Sequence, residues 1–534
     1  MGRYIDSSNS DELVITGSSV VGRAVAAEAI EKNDLINTAP NGKAYPVVVT
    51  DYAAVPNKGS TVIAETEVIN GNSFAYSRYA VFRDPNTGNL FFVAPHASGN
   101  PGAGCRVYKY SPNGGLIGSV RASDSGGLLY NPKIKQLSDG NLVITWAPSE
   151  TTDIAFFIID KDLNIIKDHT IIDANPLYGS YGMDVLSGGG FFCSYTQVGN
   201  TQRVIVYDND GDVVTGSTSI KTWTGTAAGV TTNVGQLSNG NVAVVCTSMY
   251  STSKGTFLGI YNTAGAQVLA IASVDAAAWS GTVIPEIVSV SGFFVVAHAR
   301  AATTVVLRVY NNAGALQGSE LTFTTPSSGA SLNTFRLIDD ASKFYLITQS
   351  SSVLKFNIST VSTAGDLLLQ KETGSFTTAG PVLAIDAFIE GDYLVAMHNN
   401  IGTGTGGTQW SYFVVGADDL LVKTQTIAFS TTATTGGIYG KIIPCSDFAF
   451  TAFFNFVSPQ TSSFFIGKYA DTAIAGVAEN DASIGEVVSI NQGAGNSNIN
   501  AVFGSSPKTF DMSVSNIRGN KGTAMNNGVV LEGI

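Results

Sequence analysis

The sequence predicts an all-β fold, a β-propeller of about eight four-stranded blades plus a small β-domain formed by both chain termini. Three observations predict it. An apolar–turn–apolar motif returns eight times, a second motif of the same kind follows each copy, and the composition favours strands and tight turns.

Composition sets the class. Of the 534 residues only 13% are charged and 58 are glycine. Long amphipathic helices need more Glu, Lys and Arg than that, whereas short Val/Ile/Phe/Tyr runs broken by Gly, Asn, Asp and Ser read as strands and turns.

The first motif reads KIKQLSDGNLVITW at 133–146, GMDVLSGGGFFCSY at 182–195, NVGQLSNGNVAVVC at 233–246 and PEIVSVSGFFVVAH at 285–298. An earlier copy spans 79–96, and weaker ones begin at 335, 386 and 442. The second motif reads VYKYSPNGGLIGS (107–119), VIVYDNDGDVVTG (204–216), LGIYNTAGAQVLA (258–270) and LRVYNNAGALQGS (307–319). Tyr110, Tyr207, Tyr261 and Tyr310 match in position, as do Gly114, Gly211, Gly265 and Gly314, where a hairpin turn needs positive φ. Each unit is then strand A, turn, B, loop, C, turn, D, recurring at roughly 50 residues, the period of a propeller blade. Eight copies give eight blades, or seven if one weak copy is not a blade.

Ring closure follows from the ends of the repeat. The last copy has A, B and C but then changes character, and residues 60–70 resemble a D strand. Those residues are expected to complete the last blade and remove an open edge. The domain bounds expected are 1–58 and 471–534 for the two halves of the terminal domain and 59–470 for the propeller. A–B and C–D turns then share one face, with both ends of the propeller segment. The longer, more varied B–C and D–A loops share the other, where a binding function is expected.

Several function classes are disfavoured. A net charge of −12 and a pI near 4.8 oppose non-specific nucleic-acid binding and docking on anionic lipid. Cys105, Cys193, Cys246 and Cys445 are widely spaced and read as buried small hydrophobes, not zinc ligands or a disulfide framework. No basic-then-apolar leader opens the sequence and no run of about 18 apolar residues occurs, so neither export by a signal peptide nor membrane insertion is expected.

Candidate site residues are few. Trp146, Trp223, Trp279, Trp410, Tyr178 and Tyr250 fall at or near the B–C and D–A loops. Such rings either stack on sugars and protein partners or wedge between blades. His298 and His398 occupy matching places just past strand B, with His96 one residue off, and Arg300 follows His298; blade packing competes with a ligand role for all of them. Asp208, Asp210 and Asp212 in DNDGD superficially suggest calcium. The glycine is one place early for an EF-hand loop and the distal Glu is absent, so a hairpin turn is expected and no cofactor is called for, calcium being the one alternative. No Asp-box, GxSxG, HExxH or Walker pattern is present, and no catalytic residue is assigned.

Two terminal patterns carry a resemblance. A.EAI..ND.I....NGKAYPV near the start and IAGVAENDAS.GE.V.I..G after the repeats resemble small β-modules of tailed-bacteriophage virion proteins, of the tail-fibre or receptor-binding kind. The resemblance covers some 60–80 residues at the two ends of the sequence. It implies one small β-domain split by the inserted propeller, attachment to other virion proteins through that domain, and a homo-oligomer by analogy with trimeric fibres. The expectation drawn from it is a virion structural protein that shows the propeller to a host-surface glycan or protein. The alternatives are a polysaccharide depolymerase or glycosidase and a cellular lectin or adhesin.

Overall fold

The structure, a computed structural model, describes residues 80–324 apart from short loops. It also describes the strands between 335 and 468 and those at 14–46, 61–70, 474–491 and 520–533; side chains are described chiefly within 80–324.

Eight antiparallel sheets follow one another along the chain, each with strands in the order A-B-C-D, and the sixth adds a short fifth strand, Phe376–Thr377, on its strand C; together they form a β-propeller. Blade 1 runs from Ala80–Arg83 (A) to Leu116–Arg121 (D). Blade 2 comprises Tyr130–Gln136, Leu142–Ala147, Ile154–Ile159 and Ile165–Asp173. Blades 3 to 7 begin with A strands Pro176–Val185, Val230–Gln236, Glu286–Val290, Phe335–Asp340 and Ile385–Glu390. Blade 8 pairs Lys441–Cys445, Phe448–Asn455 and Thr461–Lys468 with Thr61–Asn70, so a strand from the start of the chain supplies its D position.

The core is a series of layers between blades. Strands B and C lie in mid-sheet with a neighbouring blade on each face, so both faces of Leu142–Ala147 and Ile154–Ile159 are buried and read as unbroken apolar runs. Val143, Phe156 and Ile158 of blade 2 pack on Met183, Phe191 and Tyr207 of blade 3. The Phe191 and Tyr207 rings stack at 4.8 Å. The matched tyrosines end strand C opposite the start of strand B, as in Phe191↔Tyr207, Val242↔Tyr261 and Phe294↔Tyr310, and all are buried. Strand D is the outer edge and is largely solvent-exposed.

Turn chemistry fixes the blade spacing. In the SDGN turn, Leu137 N–H donates to Asn141 O, and the Asp139 carboxylate accepts from Asn141 N–H at 3.0 Å. Gly314 in the C–D turn of blade 5 has φ +85°, and a Cβ there would meet Leu269 and, at 2.9 Å, Ile260 Cδ1 of blade 4. Gly211 and Gly265 make the same approach to blades 2 and 3. The repeated turn glycine thus serves the hairpin and lets the next turn seat against the previous blade.

By contact density the chain divides into two compact units, Met1–Val62 with Pro444–Ala449 and Ile466–Ile534, and Ile63–Ile443 with Phe450–Phe465. In the first unit, strands from both chain ends share one sheet. Its order is Val14–Thr16, Ser19–Ala26, Val487–Asn491, Ile474–Ala478, Leu35–Thr38, Lys43–Pro46. A parallel pairing of Val25 with Lys43 and Ala26 with Ala44 returns the last strand to the second, closing five strands into a ring. These strands come from the two terminal segments of the sequence.

Candidate functional site

Two polar clusters stand out among the described residues, one on the inner strands of blades 2–4 and one between blades 4 and 5.

The inner cluster begins with an irregularity. Strand A of blade 2 loses register between Tyr130 and Lys133, and Asn131 in that bulge has φ +48°. A bulge breaks strict alternation and re-aims the side chains that follow. Lys133 Nζ then lies 5.8 Å from the Tyr181 ring centroid on blade 3 and 3.5 Å from Asn233 Oδ1 on blade 4. Tyr181 is fully buried and fixed: its hydroxyl donates to Asn131 O at 2.7 Å and lies 3.0 Å from Thr145 Oγ1. Asn131 Nδ2 donates back to Tyr181 O at 3.2 Å. Asn233 is held by its own bond to Pro285 O at 3.0 Å.

The neighbouring charges are arranged unequally. Lys135 is paired with Asp184 at 2.5 Å. The same Asp184 carboxylate accepts from Val185 N–H and, across the blade boundary, from Gln236 N–H, both at 2.9 Å. Lys133 is half-buried and has no carboxylate within 4 Å among the described residues. Burial, then repulsion from Lys135, pulls its pKa down to about 8, against the attraction of Asp184 and Glu286. A cavity of about 540 Å³ opens beside this cluster at the A–B turns, lined by Gln136, Asp139, Leu186, Ser187 and Gln236 among others.

The second cluster is closed. His298 Nε2 lies 3.0 Å from Asp275 Oδ2, and burial holds the imidazole pKa below its usual value even though this carboxylate works the other way. The neutral ring therefore donates from Nε2 to the carboxylate. Arg300 donates from Nε to Asp275 at 2.7 Å and from both Nη atoms to Glu320 at 2.6 and 2.7 Å. Arg308 binds Glu320 at 2.7 Å and also reaches Val274 O. The Arg300 bonds hold the Glu320 carboxyl down to about 2. Two arginines face two carboxylates around a neutral histidine, so the charge balances.

This placement corrects part of the loop-face set. Trp146 and Trp223 are each 1% exposed. Trp146 meets the Phe157 ring edge-on at 5.7 Å and stacks on His169 at 5.5 Å, while Trp223 meets Phe257 at 4.9 Å. His298 is fully buried, and the donor nitrogens of Arg300 are occupied. The physical reason is shared: side chains at the ends of B and D strands are covered by the adjacent blade before they reach the loops. Side chains of Tyr178, Tyr250, Trp279, His398 and Trp410 lie outside the described residues. The DNDGD stretch is a turn in which Asp208 Oδ1 accepts from Asp210 and Asp212 N–H at 3.0 and 2.8 Å, and Asp212 pairs with Lys167 at 2.6 Å.

Sequence reading missed Lys133, Tyr181 and Asn233. One signal was available: the Asn-Pro pair at 131–132 inside a strand marks an irregular inner edge.

No protein-family model and no curated protein matches this chain. Solved structures of similar fold include Sqt1 of Saccharomyces cerevisiae, at 10% identity over 76% of this chain and 99% of that one, with a TM-score of 0.44. An ulvan lyase matches at 9% identity over 77% and 96%, with a TM-score of 0.43. A NanB sialidase mutant from Streptococcus pneumoniae matches at 8% over 78% and 71%, with a TM-score of 0.34. At these values none of them bears on what this chain binds.

Proposed function

We propose that this chain is a display protein: a ligand-binding β-propeller carried on a small closed sheet, its ligand a cell-surface glycan. The observation that carries the reading is the sheet built from residues 14–46 and 474–491, between which the whole propeller segment is inserted. An insertion of this kind gives a rigid ring two covalent attachments to one base, an arrangement suited to presentation and not required for catalysis in a free-standing propeller. The virion assignment, with host adsorption as the role, is supported by the terminal patterns alone.

Full-length protein titrated onto host cells and onto their purified surface polysaccharide tests the reading. Saturable binding that the free polysaccharide competes away is expected, with the protein also found by mass spectrometry in purified phage particles. Absence of binding to cells and polysaccharide alike would overturn the display reading; absence from particles would remove the virion role.

A second reading, a polysaccharide-cleaving enzyme, is favoured by the placement of Lys133 against the Tyr181 ring with no carboxylate within 4 Å among the described residues, where burial lowers its pKa and lets it act as a proton acceptor. The same incubation separates the two: shortened polysaccharide supports cleavage, unchanged chain length supports binding.

A further inference from the structure

We propose that Lys133 is the anchor of an anion subsite on the inner strands, built to take the carboxylate or sulfate group of an acidic sugar. The proposal rests on the glycan-binding reading and names the chemistry that would distinguish its ligand.

The geometry is specific to this lysine. The bulge at 130–133 and the positive φ of Asn131 are departures from strand geometry that the flanking bonds to Tyr181 hold in place. Asn is the side chain other than glycine that most readily takes that conformation, and here both its amide and its carbonyl are engaged by Tyr181. The consequence is an ammonium set against the Tyr181 ring and the Asn233 amide oxygen at the junction of three blades.

The charge arrangement sharpens the point. An ammonium has three donors, and Lys133 uses at most one, in a contact at the long limit of 3.5 Å to an oxygen that already accepts from Val234 N–H at 3.0 Å. Two residues along the same strand, Lys135 is paired with Asp184, whose oxygens are further engaged by Val185 and Gln236 N–H. What sets Lys133 apart is the bulge that aims it at the junction of three blades with most of its donors unused. Partial burial without a counter-ion makes the ammonium costly and raises its appetite for an oxyanion. The lowered pKa is the same property in another form, and an incoming anion would raise it again, so binding takes up a proton near pH 8.

Calorimetry on the full-length protein tests this with galacturonate, glucuronate and sulfated galactose oligosaccharides, the neutral methyl ester of the galacturonate probe, inorganic sulfate and an oligoglutamate peptide. At least one acidic sugar is expected to bind ten-fold or more tightly than the neutral ester. Its affinity is expected to fall between pH 7 and 9.5 in the wild-type protein, and to drop at least ten-fold in Lys133→Met and less in Lys133→Arg. The pH series needs no variant, so a folding defect in Lys133→Met leaves the test intact. Equal binding of acid and ester, wild-type affinity in a folded Lys133→Met, or affinity that is flat in pH would each overturn the proposal. Response to sulfate ion alone, or to the peptide in place of the sugars, would overturn it too. No response to any acidic sugar by a protein that still adheres to host polysaccharide would sink this subsite and leave display standing. Acidic-sugar binding without adhesion to cells would do the reverse.

Discussion

Blades 4 and 5 meet through charges that are all answered; blades 2 to 4 meet around a charge that is not. In the first place Asp275 and Glu320 balance Arg300 and Arg308, and neutral His298 donates to the Asp275 oxygen that also takes Arg300 Nε–H. In the second, Lys135 takes Asp184 and leaves Lys133 with a ring face and an amide oxygen. Both clusters cross blade boundaries, so location alone does not separate structural from functional polarity. Compensation does. A closed network is a fastening, and an open half-buried cation is a place for something else.

The largest effect expected from this contrast lies at the fastening. Asp275→Asn leaves Arg300 and Arg308 short of an anion inside the seam, and breaking a buried ion network in this way costs about 3–5 kcal/mol. Denaturant unfolding would read it as a lower midpoint; a loss below about 1 kcal/mol would show that the network is not a fastening. Gly314→Ala comes next. Positive φ and the approach to Ile260 and Leu269 act together, and about 1–3 kcal/mol of destabilisation is expected by the same measurement.

Acid should open the seam in two stages. His298 has a folded pKa below its ordinary 6.5, so its contribution is present above 6.5 and is lost as pH falls through the folded value. Glu320, ordinarily near 4.5, is held to about 2, so its contribution is present above 4.5 and disappears as pH falls toward 2. Thermal melts of the wild type and Glu320→Gln across pH 2–7 should therefore converge at the acid end. A gap that stays constant with pH would contradict the assignment. The smallest stability effect is expected at the open site: Lys133→Met replaces a desolvated ammonium with an apolar side chain of similar length and should shift stability by no more than about 1 kcal/mol in either direction.

Much of the fold was legible because it repeats. Copies of SDGN, DNDG and NNAG spaced by roughly 50 residues mark turns whose chemistry is local, and local chemistry can be read from one segment at a time. The glycines at 211, 265 and 314 were legible as turn formers; their approach to the preceding blade was not, because that neighbour lies about one repeat away in sequence. The site was harder for the same reason. Lys133, Tyr181 and Asn233 stand on three successive A strands, and nothing within any one motif copy shows that they converge. Trp146 and Trp223 left two readings open, a loop-face ring or a wedge between blades, and burial decides for the wedge. Nearness to loops in sequence could not separate the two, because a side chain at the end of a B or D strand can be covered by an adjacent blade. His298 and Arg300 followed the same rule, their partners Asp275 and Glu320 coming from a different blade and a different strand.

The contrast between a closed seam and an open cation is tested most directly by titrating Lys133 itself. NMR of selectively ¹³C-labelled lysine side chains, assigned with Lys133→Arg, would follow its ammonium through pH 6–12. A midpoint near 8 that moves upward when an acidic oligosaccharide is added is the predicted result. A midpoint at the ordinary 10.5, unmoved by any acidic sugar, would show that Lys133 is an answered charge like its neighbours and would contradict the account.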